Sequence, residues 1–134
     1  MLSKPFPRID ETSRPFWNAC NAGRLLIQCC ADCRRFNYYP RVCCPSCRSG
    51  SLEWVDVPGS GQIVTHTTIH RTHHESFDAE APYVFAAVRL NEGPVIYARI
   101  TNAPAEASSF LGHPVRAVFE ALTDNQKILA FQLV

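Results

Sequence analysis

Apolar and polar positions follow two different rhythms along this chain. Between residues 13 and 23, Phe16, Trp17 and Cys20 fall on one side of a helical period, Ser13 stands as an N-cap with Pro15 in the first turn, and Gly23 offers a left-handed stop. This predicts a short helix over Ser13–Gly23, whose aromatic side either docks on its own domain or meets a partner. From Arg24 the runs become strand-like: RLLIQ, FNYYP and LEWVDV, with a cluster of cysteines among them. Beyond Gly59 strand signal dominates. GQIVTHTTIHR alternates, PYVFAAVRL is apolar and β-rich, the turn NEGP leads into PVIYARIT, and HPVRAVFEAL and KILAFQLV close around TDNQ. The small-residue stretch NAPAEASSFLGH has room for one short helix, and five strands with a helix between the third and fourth is the order of an OB-fold barrel. The expected fold is therefore mainly β: an arm and helix over residues 1–23, a cysteine-bearing ribbon of short strands over 24–57 and a five-stranded OB-fold over 58–134.

Composition adds bounds to this picture. Hydrophobic residues make up 46% and charged residues 19% of 134, as in a folded globular domain, and no apolar run approaches the ~20 residues needed to span a bilayer. The start MLSKPFPRIDETSRPFW lacks the apolar stretch of a secretory signal, which places the expected location in the cytoplasm, where thiols stay reduced. That argues against a disulfide framework for the seven cysteines. Thirteen Lys and Arg against twelve Asp and Glu leave a net charge of +1, without the field that marks nucleic-acid binders.

The cysteines carry the strongest chemical signal. QCCADCRR is echoed by VCCPSCRS, so Cys30 and Cys33 form one C-x2-C turn and Cys44 and Cys47 another, ten residues apart. Each such turn aims two thiolates at one ion, and the pair closes a tetrahedron of Zn–S bonds about 2.3 Å long. Zinc is the expected ion, with iron in a rubredoxin-like arrangement as its competitor. Cys29 and Cys43 could in principle substitute in a C-x3-C geometry, but adjacent side chains face opposite ways, so both read as spectators. Cys20 reads as a small buried hydrophobe. One departure stands out: knuckles of this kind often place Gly after the second cysteine, for a positive φ, and here Arg34 and Arg48 stand there. Four thiolates leave no open coordination position, so such a metal is structural.

Other chemistry is thinner. His66 and His70 share a face of the first barrel strand, and RTHHESFDAE adds His73, His74, Glu75, Asp78 and Glu80, yet positions i and i+4 on a strand lie about 13 Å apart and cannot share one ion. A polar inter-strand loop is the simpler reading, with a histidine acid or base as the sharper one. Arg34, Arg35, Arg41 and Arg48 make the ribbon locally basic, suiting the phosphates of a nucleotide, coenzyme A or RNA if they are more than a solvated face. No G-x-S-x-G, Gly-rich phosphate loop or paired carboxylates occur, so the chain by itself does not read as a complete enzyme.

The sequence of PFWNACNAGRLLIQ, CADC…YPRVCCPSC, LEWVDVPGSGQIVTHTTIH and PYVFAAVRLNEGPVIYARI resembles, over nearly the whole chain, an acyl-CoA-associated family with a rubredoxin-like zinc ribbon and a C-terminal OB-fold, long catalogued as a domain of unknown function. The resemblance implies a zinc-binding accessory subunit of a hetero-oligomeric acyl-CoA-processing complex, in lipid, steroid or aromatic degradation. The partner would be a thiolase-like enzyme (thiolase, acyltransferase or retro-aldolase) or an enoyl-CoA hydratase, and this chain would support assembly and help form the acyl or CoA channel. Carried over, Cys30, Cys33, Cys44 and Cys47 are the zinc ligands, and Pro82, Tyr83, Glu92 and Gly93 are structural or interfacial motif positions; beside that carry-over, the ribbon arginines Arg34 and Arg35 are expected to suit the phosphates of coenzyme A. The alternative from another class is a nucleic-acid-binding zinc-ribbon and OB-fold module, disfavoured by the charge balance and by having only Lys4 and Lys127. A third, an autonomous CoA-ester hydrolase using the loop histidines, ranks below both.

Overall fold

The computed structural model describes residues 4–105 and 109–134. Helix α1 (Arg14–Asn21) opens the fold and leads into a three-stranded antiparallel sheet of β1 (Leu25–Cys30), β2 (Phe36–Asn37) and β3 (Leu52–Val57), in the order β2-β1-β3. A closed barrel follows, of β4 (Ser60–Ile69), β5 (Tyr83–Leu90), β6 (Val95–Ile100), β7 (Pro114–Thr123) and β8 (Gln126–Leu133), in the order β4-β5-β6-β8-β7. All its pairings are antiparallel except β6 with β8, which meet at Ile100 and Phe131.

The helix ends where its chemistry says it should. Gly23 at φ +74° turns the chain so that the Arg24 N–H reaches the Ala19 carbonyl at 2.9 Å and the Gly23 N–H reaches that of Cys20 at 3.1 Å, the two bonds of a Schellman cap. At the other end Ser13 precedes the helix but does not cap it through its side chain. Its Oγ instead accepts from the Asp10 N–H (3.1 Å) while the Asp10 carboxylate accepts from the Ser13 N–H (2.9 Å), a reciprocal pair that fixes the preceding turn. The aromatic side of α1 docks at home. Phe16 is buried, its ring 5.2 Å from Trp17 and 5.7 Å from Tyr38 of the ribbon, and Trp17 packs against the same core.

That core is continuous through helix, ribbon and barrel. Leu25, Ile27 and Val57 from the small sheet join Ile63, Val84, Val88, Ile96, Ile100, Val115 and Phe131 inside the barrel. Buried Gln126 ties the two parts with polar bonds, its Nε2 donating to the Trp17 carbonyl at 3.2 Å, while the Lys127 N–H donates to Asn21 Oδ1 at 2.8 Å. The lead-in to the barrel needs its glycines. A Cβ on Gly61 would lie 2.4 Å from the Arg89 carbonyl oxygen on β5, and one on Gly59, at φ +80°, would lie 2.5 Å from Ala117 Cβ on β7.

Two features depart from the strand pattern. The alternation of GQIVTHTTIHR is interrupted by a register shift between Ile63 and Thr65, a bulge that leaves Val64 exposed and resets which later residues face inward. The short helix expected within NAPAEASSFLGH falls partly on residues 106–108, outside the described residues, and the described flanks of that segment hold no helix. A helix occurs instead in the first inter-strand loop, α2 (Glu75–Asp78), where the His74 ring Nδ1 accepts from the Ser76 N–H at 3.2 Å and caps it.

Candidate metal centre

Each cysteine pair sits in a turn closed by the same two backbone bonds. In the first knuckle the Arg34 N–H donates to the Cys30 carbonyl (2.9 Å) and the Cys30 N–H to that of Arg35 (2.9 Å); in the second, Arg48 donates to Cys44 (2.8 Å) and Cys44 to Ser49 (2.8 Å). The repeat read in the sequence is thus a repeat in space. Arg34 and Arg48 adopt φ +66° and +65°, the left-handed geometry that glycine usually supplies. The knuckle form is therefore kept without glycine, at the conformational cost of two left-handed L-residues.

The structure brings Cys30, Cys33, Cys44 and Cys47 together, with all four Sγ atoms within 4.8 Å of one another. Cys30 and Cys47 lie 3.5 Å apart and Cys33 and Cys44 3.6 Å, close to the edge of about 3.8 Å that a tetrahedron of 2.3 Å Zn–S bonds requires. The donor set therefore fits a zinc ion. Cys29 and Cys43 are not in the cluster, and Cys20 is buried in the core, where burial pushes its thiol up to about 12.

Electrostatics distinguish the two positions of each knuckle. The amide of Cys33 points at Cys30 Sγ and lowers its pKa, and the amides of Cys47 and Ser46 lower that of Cys44 to about 6. At Cys47 the Ser49 amide favours the thiolate, but the hydrogen bond with Cys30 and burial outweigh it and push the thiol up to about 12. The first cysteine of each turn is thus the readier anion, and each lies beside the second cysteine of the other turn, Cys30 beside Cys47 and Cys44 beside Cys33. A divalent ion held by the four sulfurs would bind them as thiolates and release their protons. A hydrogen bond between Asp32 and Ser49 links one knuckle to the other. Gln28, buried and unremarked in the sequence, clamps the intervening loop: its Nε2 donates to the Arg41 carbonyl at 2.9 Å and its Oε1 accepts from the Arg41 N–H at 2.8 Å.

The other predicted residues disperse. His66 Nε2 accepts from the Phe110 N–H at 2.9 Å, holding the loop before β7, and His74 caps α2, whereas His70 and His73 are exposed. The histidine-rich loop forms no metal-type cluster among the described residues. Arg34 and Arg35, on the first knuckle, line a cleft together with Phe36, Glu92, Gly93 and Pro94 from ribbon and barrel, so two groups of residues singled out separately in the sequence meet there. Tyr83 supports the Arg99 guanidinium, 4.4 Å above its ring, on the outer barrel surface. There an apolar cleft of about 290 Å³ includes Phe77, Phe85, Tyr97 and Leu122.

Helix, four-thiolate ribbon and closed barrel define a zinc-ribbon and OB-fold protein. Residues 17–53 match the family described as "ChsH2, rubredoxin-like zinc ribbon domain" and residues 54–120 that described as "ChsH2, C-terminal OB-fold domain". The chain is 31% identical over 117 residues to a DUF35 domain-containing scaffold protein of Methanothermobacter thermautotrophicus, covering 87% of this chain and 86% of that one. The chain belongs to this ChsH2-type DUF35 family. It is also 38% identical over 92 residues to a probable enoyl-CoA hydratase alpha subunit of Thermomonospora curvata; that match takes in 67% of this chain but spans only 28% of the relative. Among solved structures, a chain of "Ltp2-ChsH2(DUF35) aldolase" superposes with a TM-score of 0.82 at 29% identity, over 96% of this chain and 98% of that one.

Proposed function

We propose that this protein is a zinc-stabilised accessory subunit that supports an acyl-CoA-processing enzyme, with Cys30, Cys33, Cys44 and Cys47 holding one structural zinc ion. The observation that carries the reading is the near end-to-end likeness to one chain of an aldolase named for two components, supported by the sequence likeness to part of a hydratase subunit. A four-thiolate ion has no position left for water or substrate, so its role is to hold the ribbon against helix and barrel. The surface suits docking: Tyr39 (56% exposed) and Val42 (77%) stand out on the ribbon. The partner in this reading is a thiolase-like or hydratase enzyme that supplies the reacting groups, and this chain borders its CoA or acyl channel.

A second reading, nucleic-acid binding, draws on Phe85 (37% exposed) and Tyr97 (57%), aromatics on the outer β5–β6 face that OB-folds use for stacking bases. Purification of the tagged protein from its host at moderate salt, recording co-purifying polypeptides and the 260/280 nm ratio, separates the two. The accessory reading expects a stoichiometric enzyme partner and acyl-CoA turnover requiring both chains. Nucleic acid without an enzyme would replace it with the second reading.

A further inference from the structure

The sulfurs of the ribbon pair across its two knuckles. Cys30 Sγ lies 3.5 Å from Cys47 Sγ, and Cys33 Sγ lies 3.6 Å from Cys44 Sγ, so each approach joins a residue of the first knuckle to one of the second. A disulfide has an S–S bond of about 2.05 Å, and each pair stands about 1.5 Å short of it. The pairs share no residue, so both bridges can exist at once. Contacts that need no ion also hold the knuckles side by side: the hydrogen bond between Asp32 and Ser49, and the clamp of Gln28 on Arg41. Accessibility differs within each pair. Cys47 is exposed and Cys33 partly so, whereas Cys30 and Cys44 are buried. An oxidant arriving from water therefore meets the second cysteine of a turn first, with a buried sulfur of the other turn already beside it.

We infer that the ribbon has two interchangeable staples: a zinc ion under reducing conditions, which rests on the structural-zinc reading above, and the disulfides Cys30–Cys47 and Cys33–Cys44 under hydrogen peroxide. As a metal ligand the Cys47 sulfur is a thiolate. It attacks one oxygen of the peroxide, the O–O bond breaks, and Cys47 becomes a sulfenic acid as hydroxide leaves. The Cys30 thiolate then attacks that sulfur, the S–O bond breaks, and a second hydroxide leaves. Two protons from solvent convert the hydroxides to water, so each bridge consumes one peroxide, which takes up the two electrons that the thiolates lose. Cys33 and Cys44 react in the same way, and a site without thiolates no longer holds the ion. The bridges span 17 and 11 positions, and longer loops restrain the unfolded chain more than the three positions of one turn do. The oxidised ribbon therefore stays closed and keeps Tyr39 and Val42 presented on its surface.

Oxidation of the full chain with hydrogen peroxide, in the presence of a dye that reports free zinc, tests this. The Cys43→Ser background removes an exposed thiol that lies outside the cluster. Two disulfides are expected for each zinc released, and peptide mapping is expected to find Cys30 joined to Cys47 and Cys33 to Cys44. The oxidised chain is expected to keep its near-ultraviolet circular dichroism and to unfold at higher urea than the reduced chain stripped of metal by a chelator. Dithiothreitol with zinc is expected to restore the starting state. Metal analysis before oxidation reports on the zinc reading alone, because the thiol pairing can be mapped with or without the ion. Bridges within a turn, Cys30 to Cys33 or Cys44 to Cys47, overturn the inference. So does oxidation that stops at sulfinic acids, or an oxidised chain that unfolds as readily as the stripped one.

Discussion

Arg48 illustrates how a single residue can be wrong for its backbone and still be kept. Its φ of +65° is a left-handed conformation that costs an L-residue roughly 1–2 kcal/mol, partly offset because glycine loses more entropy on folding. Arg48→Gly is therefore expected to stabilise the ribbon by about 0.5–1 kcal/mol, seen as a higher unfolding midpoint in urea; a lower midpoint would mean that the guanidinium makes a contribution of its own. The thiolates behave differently. Cys44→Ser or Cys47→Ser is expected to abolish the one-zinc stoichiometry in metal analysis and to unfold the ribbon, whereas Cys29→Ser and Cys43→Ser, outside the cluster, are expected to keep the metal. The same measurement distinguishes zinc from iron.

Among the elements, α1 and the barrel strands show how local signals combine with close approach. Phe16 is 5% exposed and sits between Trp17 and Tyr38, so Phe16→Ala is expected to cost about 3–5 kcal/mol in chemical unfolding, by loss of buried area and the cavity left behind. A docked helix explains this where a helix waiting for a partner would not. Gly61→Ala tests the barrel seam: the added methyl meets a backbone carbonyl, which cannot swing aside as a side chain can, and a loss of about 1–3 kcal/mol is expected. Among the described residues no helix is long and apolar enough to cross a membrane.

At the scale of the whole molecule, charge fastens the N-terminal arm to the barrel. Lys4 Nζ lies 2.6 Å from the Glu80 carboxylate, Arg99 approaches it at 3.4 Å, and Lys4 stands 5.3 Å from the centre of the Phe77 ring. Partial burial opposes ionisation of Glu80, but the two cations outweigh it and hold its pKa below the ordinary 4.5. A carboxylate with a depressed folded pKa adds stability that is fully present above its unfolded value and lost as pH falls through the folded one. Wild type is therefore expected to lose stability relative to Glu80→Gln as pH drops below about 4.5, in unfolding curves at pH 6 and pH 3. The pair is partly exposed, so the difference will be small and will shrink with salt.

Much of this was legible in the residues. The two C-x2-C turns predicted the four-cysteine cluster because ligand spacing is a local property, and the helix and its glycine stop, the strand runs and the order of ribbon before barrel were readable from periodicity and turn residues. What the sequence could not decide needed atoms distant along the chain. Whether Phe16 faced a partner or its own core depended on Tyr38 and the barrel end. The histidines that suggested a second metal became a loop anchor and a helix cap, because the bulge at Val64 and the fold of the β4–β5 loop set where they point. The cleft joining Arg34 and Arg35 to Glu92 and Gly93 was likewise settled by tertiary structure, since nothing local brings residues nearly sixty positions apart to one surface. Spacing determines which residues can act together within a turn; the shared core determines which turns meet.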